Sequence, residues 1–444
     1  MKIEKQECQN VDRALDLEWL ETNGLGGFSS GTISGANTRR YHALLLTASH
    51  SGRTRYILVN QIEEWLQIDG EAYSLSTNVY PDAIHPQGYR HCLSFTSMPW
   101  PTWIFECQGT RCRREIISVQ GHDLVIVRWT LIKPATHAIT LRIRPMLTGR
   151  DYHALHHENG QLSPIARVTP EWIRWQPYGA LPPVHSFHTG IYRHAPDWYR
   201  HVQFPREQER GLDYQEDWWS PGEFTFELDA GKEHVLAFTS ESIDTLNVRE
   251  LIRGERNRRV NVYPAPADSD PFVQSLRQAT SHYVVRQGAK QTVMAGYPWF
   301  TDWGRDTFIS LPGLCLVTGR YEVAWEIIRS FSSFVSEGMV PNRFHDNGED
   351  PEYNSIDSSL WFIYAIDRYL AYSNDMTRVQ LVWPAIKQIL DGYRRGTRYH
   401  IHMEMDGLIS GGIPGVQLTW MDAKSATGLS RHGMGSRSRS KPYG

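Results

Sequence analysis

Two stretches set residues with usable chemistry side by side. In "LTWMDAK" (418–424), Asp422 follows Trp420 and Met421. A carboxyl among apolar groups loses hydration, which raises its pKa and lets it hold a proton near neutral pH, as a general acid must. A carboxylate that caps a helix or lies on the surface fits the same seven residues. In "AGYPWFTDWGRDTFIS" (295–310), aromatic residues and two carboxylates surround Arg305 where a helix should begin. An Arg beside an Asp offers donors and an acceptor together. That suits vicinal sugar hydroxyls, each of which gives and accepts a hydrogen bond. An ordinary Arg–Asp pair at a helix start is the plainer alternative.

Two further stretches invite other chemistry. "ETNGLGGFSSGTISGANTRRYHALLL" (21–46) is rich in glycine and small polar residues. It has neither a GxGxxG nor a GK[ST] pattern and no helix-like run after it, so dinucleotide and Walker readings fail. A tight, turn-rich start to a sheet remains. "RDYHALHHENG" (150–160) gathers His153, His156, His157 and Glu158. Its spacing is not that of an HExxH metal site, and a polar loop lining a cleft is the preferred reading over metal.

The elements that must position these residues follow from pattern and composition. The 444 residues suffice for two or three domains at roughly 100–200 each, and mean hydropathy is −0.47. The N-terminus lacks the apolar core of a signal peptide, and no run has the ~18 apolar residues of a membrane span. The expected location is therefore the cytoplasm. The five cysteines are odd in number and contain no CxxC, so reduced, structural thiols are expected. A net charge of −3 argues against nucleic acid as a partner. Sixteen Trp and 21 Tyr supply either large cores or flat faces for sugar rings.

Runs such as "TWIFEC", "RREIISV", "DLVIVRWTLI", "AITLRIRPML", "EFTFELDA" and "HVLAFTS" alternate with period two between turn formers, which predicts an antiparallel β-sandwich. "RGERNRRVNVYPAPADSDPF" reads as the linker. Beyond it the period is helical. Helices are expected over 275–287, 306–317 with Gly319 as its stop, 321–336, one capped by Ser355, and one through "TRVQLVWPAIKQILDGYRR" with a kink at Pro384. "PNRFHDNGEDPEYN" reads as a long polar loop between the third and fourth.

The glycine-rich opening, "AGYPWFTDWGRDTFISLPGL", "YNSIDSSLWF" and "LTWMDAK" together resemble the prokaryotic glycogen debranching enzymes, the amylo-α-1,6-glucosidase family, over residues 17–424. The resemblance implies a multidomain chain. A lead-in (1–16) precedes a β-sandwich (17–260), a linker (261–271), and part of an (α/α)6 barrel (272–424). It implies hydrolysis of α-1,6-linked glucose at branch points of glycogen or a related α-glucan, with no metal, no cofactor and no membrane. It implies inversion, one carboxylic acid protonating the leaving oxygen while a second carboxylate about 6.5–9.5 Å away activates water. Carried over by position, Asp422 matches the general acid. Arg305 and Asp306 match a pair that holds the terminal glucose, Asp357 falls in a pocket motif, and Trp299, Trp303 and Trp420 are the candidates for stacking. A trehalase- or glucoamylase-like hydrolase and a non-catalytic glycan-binding protein are the rival readings.

The family places its base well downstream of the acid, whereas roughly five helices are legible before Asp422, fewer than six α/α pairs require. After Lys424 the sequence turns to Ser, Gly and Arg. Read one base out of phase, permitted codons spell V-G-D-W-V-V-T-P-R and then G-(K/Q)-P-V-E, which resembles the family's continuation. A one-base deletion after Lys424 is therefore expected, with 425–444 a disordered out-of-frame tail, helices exposing faces meant for absent partners, and no glucosidase activity.

Overall fold

The computed structural model describes residues 2–48, 54–133, 138–241, 247–261, 270–288, 290–344 and 350–419, and the backbone of 424–425 and 428–429. Asp422, Trp420 and nearly all of the expected tail lie outside the described residues. The chain divides into two compact units, Met1–Pro264 and Ala265–Gly444. Among the described residues no helix is long and apolar enough to cross a membrane.

The first unit is two antiparallel sheets over one core. The nine-stranded sheet includes Thr102–Cys107, Thr110–Ser118, Leu124–Lys133 and Glu233–Thr239. The eight-stranded sheet includes Phe28–Thr32, Ala43–Ala48, Arg55–Ile68, Ile139–Asp151 and Gln215–Leu228. Alternation puts Trp103, Phe105, Val127 and Trp129 of one sheet and Val59, Leu66, Leu141 and Phe224 of the other into a shared core. One ion pair crosses that core. Arg114 pairs with the fully buried Glu64, which also accepts from Trp129 Nε1 at 2.7 Å.

Residues 2–16, expected only as a lead-in, contribute a strand. Lys2–Glu4 pairs with Cys92–Thr96, and Ile3, Cys8 and Ala14 are buried in the core. The stretch read as linker also begins differently, because Val248–Asn261 is a helix. Its charges have local partners. Arg259 reaches Glu21 and Glu255, while Arg256 and Arg259 lie 5.2 and 5.6 Å from the ring centroid of the buried Trp100. All five cysteines are buried, free thiols.

The glycine-rich motif is a structural turn. Asn23 Nδ2 donates to Asp123 at 2.7 Å, and Gly121 N–H donates to Asn23 O at 2.7 Å. A Cβ on Gly27 would come within 2.7 Å of Leu46 O, so a larger residue cannot occupy that position without displacing a strand. His156 of the histidine-rich stretch is buried and structural. Its Nδ1 lies 2.9 Å from Asp217 O and its Nε2 2.6 Å from Tyr178 OH, and its ring stacks 5.5 Å from Trp198. Burial pushes its pKa down.

The second unit is mainly helical: Pro271–Tyr283, Gly304–Leu311, Tyr321–Ser332, Ser358–Ser373 and Met376–Arg395. The first is shifted from expectation. Asp270 caps it through Phe272 N–H at 2.7 Å with Pro271 following, and the β-branched Val284–Val285 leaves the helix to pair with Thr292–Val293. The second stops at Leu311. Pro312, without an N–H, opens a wide turn in which Val317 N–H reaches Pro312 O at 3.0 Å, and Gly319 follows at φ 78°. The third ends at Ser332, short of the expected Ser336. The last runs through Pro384, which interrupts its ladder without ending the helix. Phe308, Leu311, Ile328, Phe331, Phe362, Ile366 and Ile389 form the common core. Phe272, Leu381 and Trp383 stay 68%, 68% and 49% exposed.

Candidate active site

The site is built where two helices begin. Between the strand Lys290–Val293 and the helix Gly304–Leu311, the chain closes a loop. Met294 bridges Asp302, Ala295 N–H donates to Thr301 O at 2.9 Å, and Phe300 N–H donates to Gly296 O at 2.8 Å. This loop carries Trp299, half-buried, and Phe300, half-exposed, whose ring meets Trp303 edge-on at 6.3 Å. Gly304 then passes against the segment Pro341–Asn342. Its N–H donates to Asn342 O at 2.9 Å, and a Cβ there would sit 2.1 Å from Pro341 O. Glycine is required by that approach, and the approach fixes where Arg305 and Asp306 emerge.

Arg305 is buried and held from two sides. Its Nε donates to Asp357 Oδ1 at 2.7 Å, and an Nη donates to Ser355 Oγ at 3.0 Å. Ser355 Oγ in turn donates to Asp357 Oδ1 at 2.7 Å and accepts Ser358 N–H at 3.1 Å, although the N-cap position of the Ser358–Ser373 helix is Asp357 and not the Ser355 expected from the sequence. Ser358 Oγ donates to Asn342 Oδ1 at 3.0 Å. Arg305 and Asp357, 52 positions apart, therefore belong to one network.

Asp306 points differently. It is exposed, yet enough protein surrounds its carboxyl for desolvation to raise its pKa. The Arg305 charge partly offsets this, and the Asp357 charge adds to it. Arg305 is thus ion-paired with Asp357, a pairing without any sign in the sequence, and the Asp306 carboxylate stands apart from that pair.

Trp303 is flanked by a residue the sequence reading passed over. Trp303 and Arg343 are antiparallel bridge partners, and so are Arg343 and Glu352. The Arg343 guanidinium carbon lies 5.6 Å from the Trp303 ring centroid. Arg343 falls inside the stretch read as a polar loop, where only its charge amid aromatic and acidic neighbours could have drawn notice. Asn342, with buried polar side chain and two roles in the network, was equally hidden.

The segment leading to Asp422 joins this site through its backbone. Ile356 N–H, one residue before Asp357, donates to Leu418 O at 2.9 Å, and Leu418 is buried in the helical core. Tyr393 OH, from the last helix, braces the other side of Ile356 through its carbonyl at 2.8 Å. Trp420 and Asp422 lie outside the described residues.

A β-sandwich is thus followed by a helical unit that sets an arginine–carboxylate network and two indoles where two helices begin. Residues 17–235 match the model of the glycogen debranching enzyme N-terminal domain, and residues 278–435 match that of amylo-alpha-1,6-glucosidase. The glycogen debranching enzyme of Saccharomyces cerevisiae is 35% identical over 112 residues, which is 22% of this chain and 7% of that protein. Among solved structures, a bacterial glucoamylase complexed with acarbose is similar at TM-score 0.45 and 10% identity, over 93% of this chain and 61% of that one. The family GH92 inverting mannosidase of Bacteroides thetaiotaomicron is similar at TM-score 0.37 and 11% identity, over 79% and 51%. The chain belongs to the glycogen debranching enzyme family.

Proposed function

We propose that the second unit is the glucosidase part of a glycoside hydrolase that acts on α-1,6-linked glucose in a branched α-glucan in the cytoplasm. In this reading the five helices are part of an (α/α)6 barrel. Asp306 and Asp357, with Arg305 behind them, take the hydroxyls of the terminal glucose, and Trp299, Trp303 and Trp420 offer faces to its ring. Asp422 is the general acid, and the reaction inverts the anomeric carbon. An acid/base mechanism of this kind calls for no metal or cofactor.

One observation carries the reading. The Ile356–Leu418 hydrogen bond ties the segment that leads to Asp422, four positions on, to the segment of Asp357, which is ion-paired with Arg305. Three stretches far apart in sequence, those of Arg305, Asp357 and Leu418, thereby meet, which supports the reading. Co-sedimentation with glycogen tests it: wild-type chain is expected in the glycogen pellet, and Asp306→Asn combined with Asp357→Asn is expected to stay in solution. Equal recovery of both proteins would overturn the assignment.

A second reading has its own support. Asp422 is the last acidic residue of the 444, and among the described residues Arg305 already engages Asp357. A glycan-binding protein without turnover fits that count. Binding of glycogen with no release of glucose favours it, and resequencing the gene across the Lys424 codon decides whether a shifted frame is the reason.

A further inference from the structure

We propose that Arg343 is a substrate-contacting residue of this site, donating hydrogen bonds to hydroxyls of the glucosyl unit that packs on Trp303. The proposal rests on the glucan reading above and adds to it a group that neither the motifs nor the expected pocket residues include.

Three observations converge on Arg343. Its backbone is fixed on both sides, by the bridges to Trp303 and to Glu352 and by Glu352 N–H donating to Arg343 O at 2.9 Å. Residues directly opposite in antiparallel pairs project on one face, so Trp303, Arg343 and Glu352 form a row of indole, guanidinium and carboxylate. The guanidinium lies against the indole, 5.6 Å from its centroid. And Arg343 Nε is buried with no hydrogen-bond partner among the described residues, nor has its guanidinium an ion pair there.

That combination is unusual for a structural arginine. A guanidinium presents five donors in a rigid fork, and a buried donor without an acceptor is unfavourable unless something supplies one. Arg305, by contrast, has its acceptors built in at Asp357 and Ser355. Arg305 is thus the positioning arginine and Arg343 the one with donors to offer. The ligand its surroundings select is a neutral polyol. Trp303 favours the C–H face of a sugar ring, and the carboxylate of Glu352, opposite Arg343, disfavours a phosphate or carboxylate beside it.

The test uses the full chain, titrated with the α-1,6-linked trisaccharide panose and followed by calorimetry. Arg343→Met keeps the apolar stem and removes the donors. It is expected to weaken panose binding by about 10- to 100-fold, the range of one or two hydrogen bonds to a charged donor, with a Tm equal to wild type. Arg343→Lys keeps the charge without the fork and should fall between the two. Wild-type binding with Arg343→Met within twofold of it overturns the role of Arg343 alone. No panose binding by the wild type overturns the glucan reading as well. Should Arg343→Met fail to fold, Arg343→Lys decides: a folded variant with wild-type affinity overturns the proposal, and a weakened one upholds it.

Discussion

Arg305 and Asp306 are adjacent in sequence and opposite in situation. Arg305 is buried with its fork divided between a carboxylate and a hydroxyl. Arg305→Lys is therefore not conservative, because a point charge on a flexible stem cannot reach both acceptors in that geometry. Loss of these charge-assisted bonds should cost about 1.5–3 kcal/mol for Lys and for Ala alike, read from urea unfolding midpoints. Asp306 has its pKa raised, first by desolvation. A carboxyl whose folded pKa lies above its unfolded value adds stability below the ordinary carboxylate range and loses that contribution as pH rises through the folded value. At neutral pH the ionised Asp306 is thus a small burden on the fold. Asp306→Asn is expected to melt higher than wild type at pH 7, with the difference shrinking as pH falls toward the carboxylate range. The same variant should lose affinity for panose, which separates a binding group from a stabilising one. An Asp306→Asn that melts lower at pH 7 would contradict the sign of the shift.

The elements hold these residues through close backbone contacts rather than through propensity, and this is where sequence pattern was informative in some places and silent in others. Strands such as Thr102–Cys107 were legible because their two-residue alternation is imposed by a core on one face. The helix Val248–Asn261 was not. Its arginines read as a solvated linker, whereas Glu21 lies 238 positions from Arg259 and Trp100 about two thirds as far. A partner that distant leaves no local mark. The pairing of Arg305 with Asp357 was hidden for the same reason, while the residues themselves were picked out by their motifs. Two variants test the packing. Arg259→Ala strands the buried carboxylate of Glu21 and leaves Glu255 to Arg258, and about 3–5 kcal/mol of stability should be lost from the first unit. Gly304→Ala forces a Cβ toward Pro341 O at 2.1 Å, so the segment must move. About 1–3 kcal/mol should be lost, and panose affinity should fall with it, since Arg305 and Asp306 follow directly. Unchanged unfolding in either case would show that the contact relaxes at no cost.

At the scale of the whole molecule, holding a sugar and breaking its bond make different demands. Holding requires donors, acceptors and a flat apolar face, and in the proposed reading Arg343, Asp306, Asp357 and Trp303 provide them. Breaking an α-1,6 bond with inversion requires two carboxyl groups on opposite sides of the anomeric carbon, one protonated and one ionised. Of the carboxylates near the described site, Asp357 is engaged by Arg305 and Ser355, Asp306 sits beside it at the same helix starts, and Glu352 stands opposite Arg343. Asp422 is the last in the sequence. In the proposed reading Asp422 is an acid with no assigned base to oppose it, and loss of general base catalysis alone removes typically 10²–10⁴ in rate. The purified 444-residue chain is therefore expected to bind panose while releasing no glucose from a branched dextrin above the buffer blank, over incubations in which an active glucosidase exhausts the substrate. Glucose release that Asp422→Asn abolishes would show that a base is present after all, and release that survives Asp422→Asn would displace Asp422 from its role.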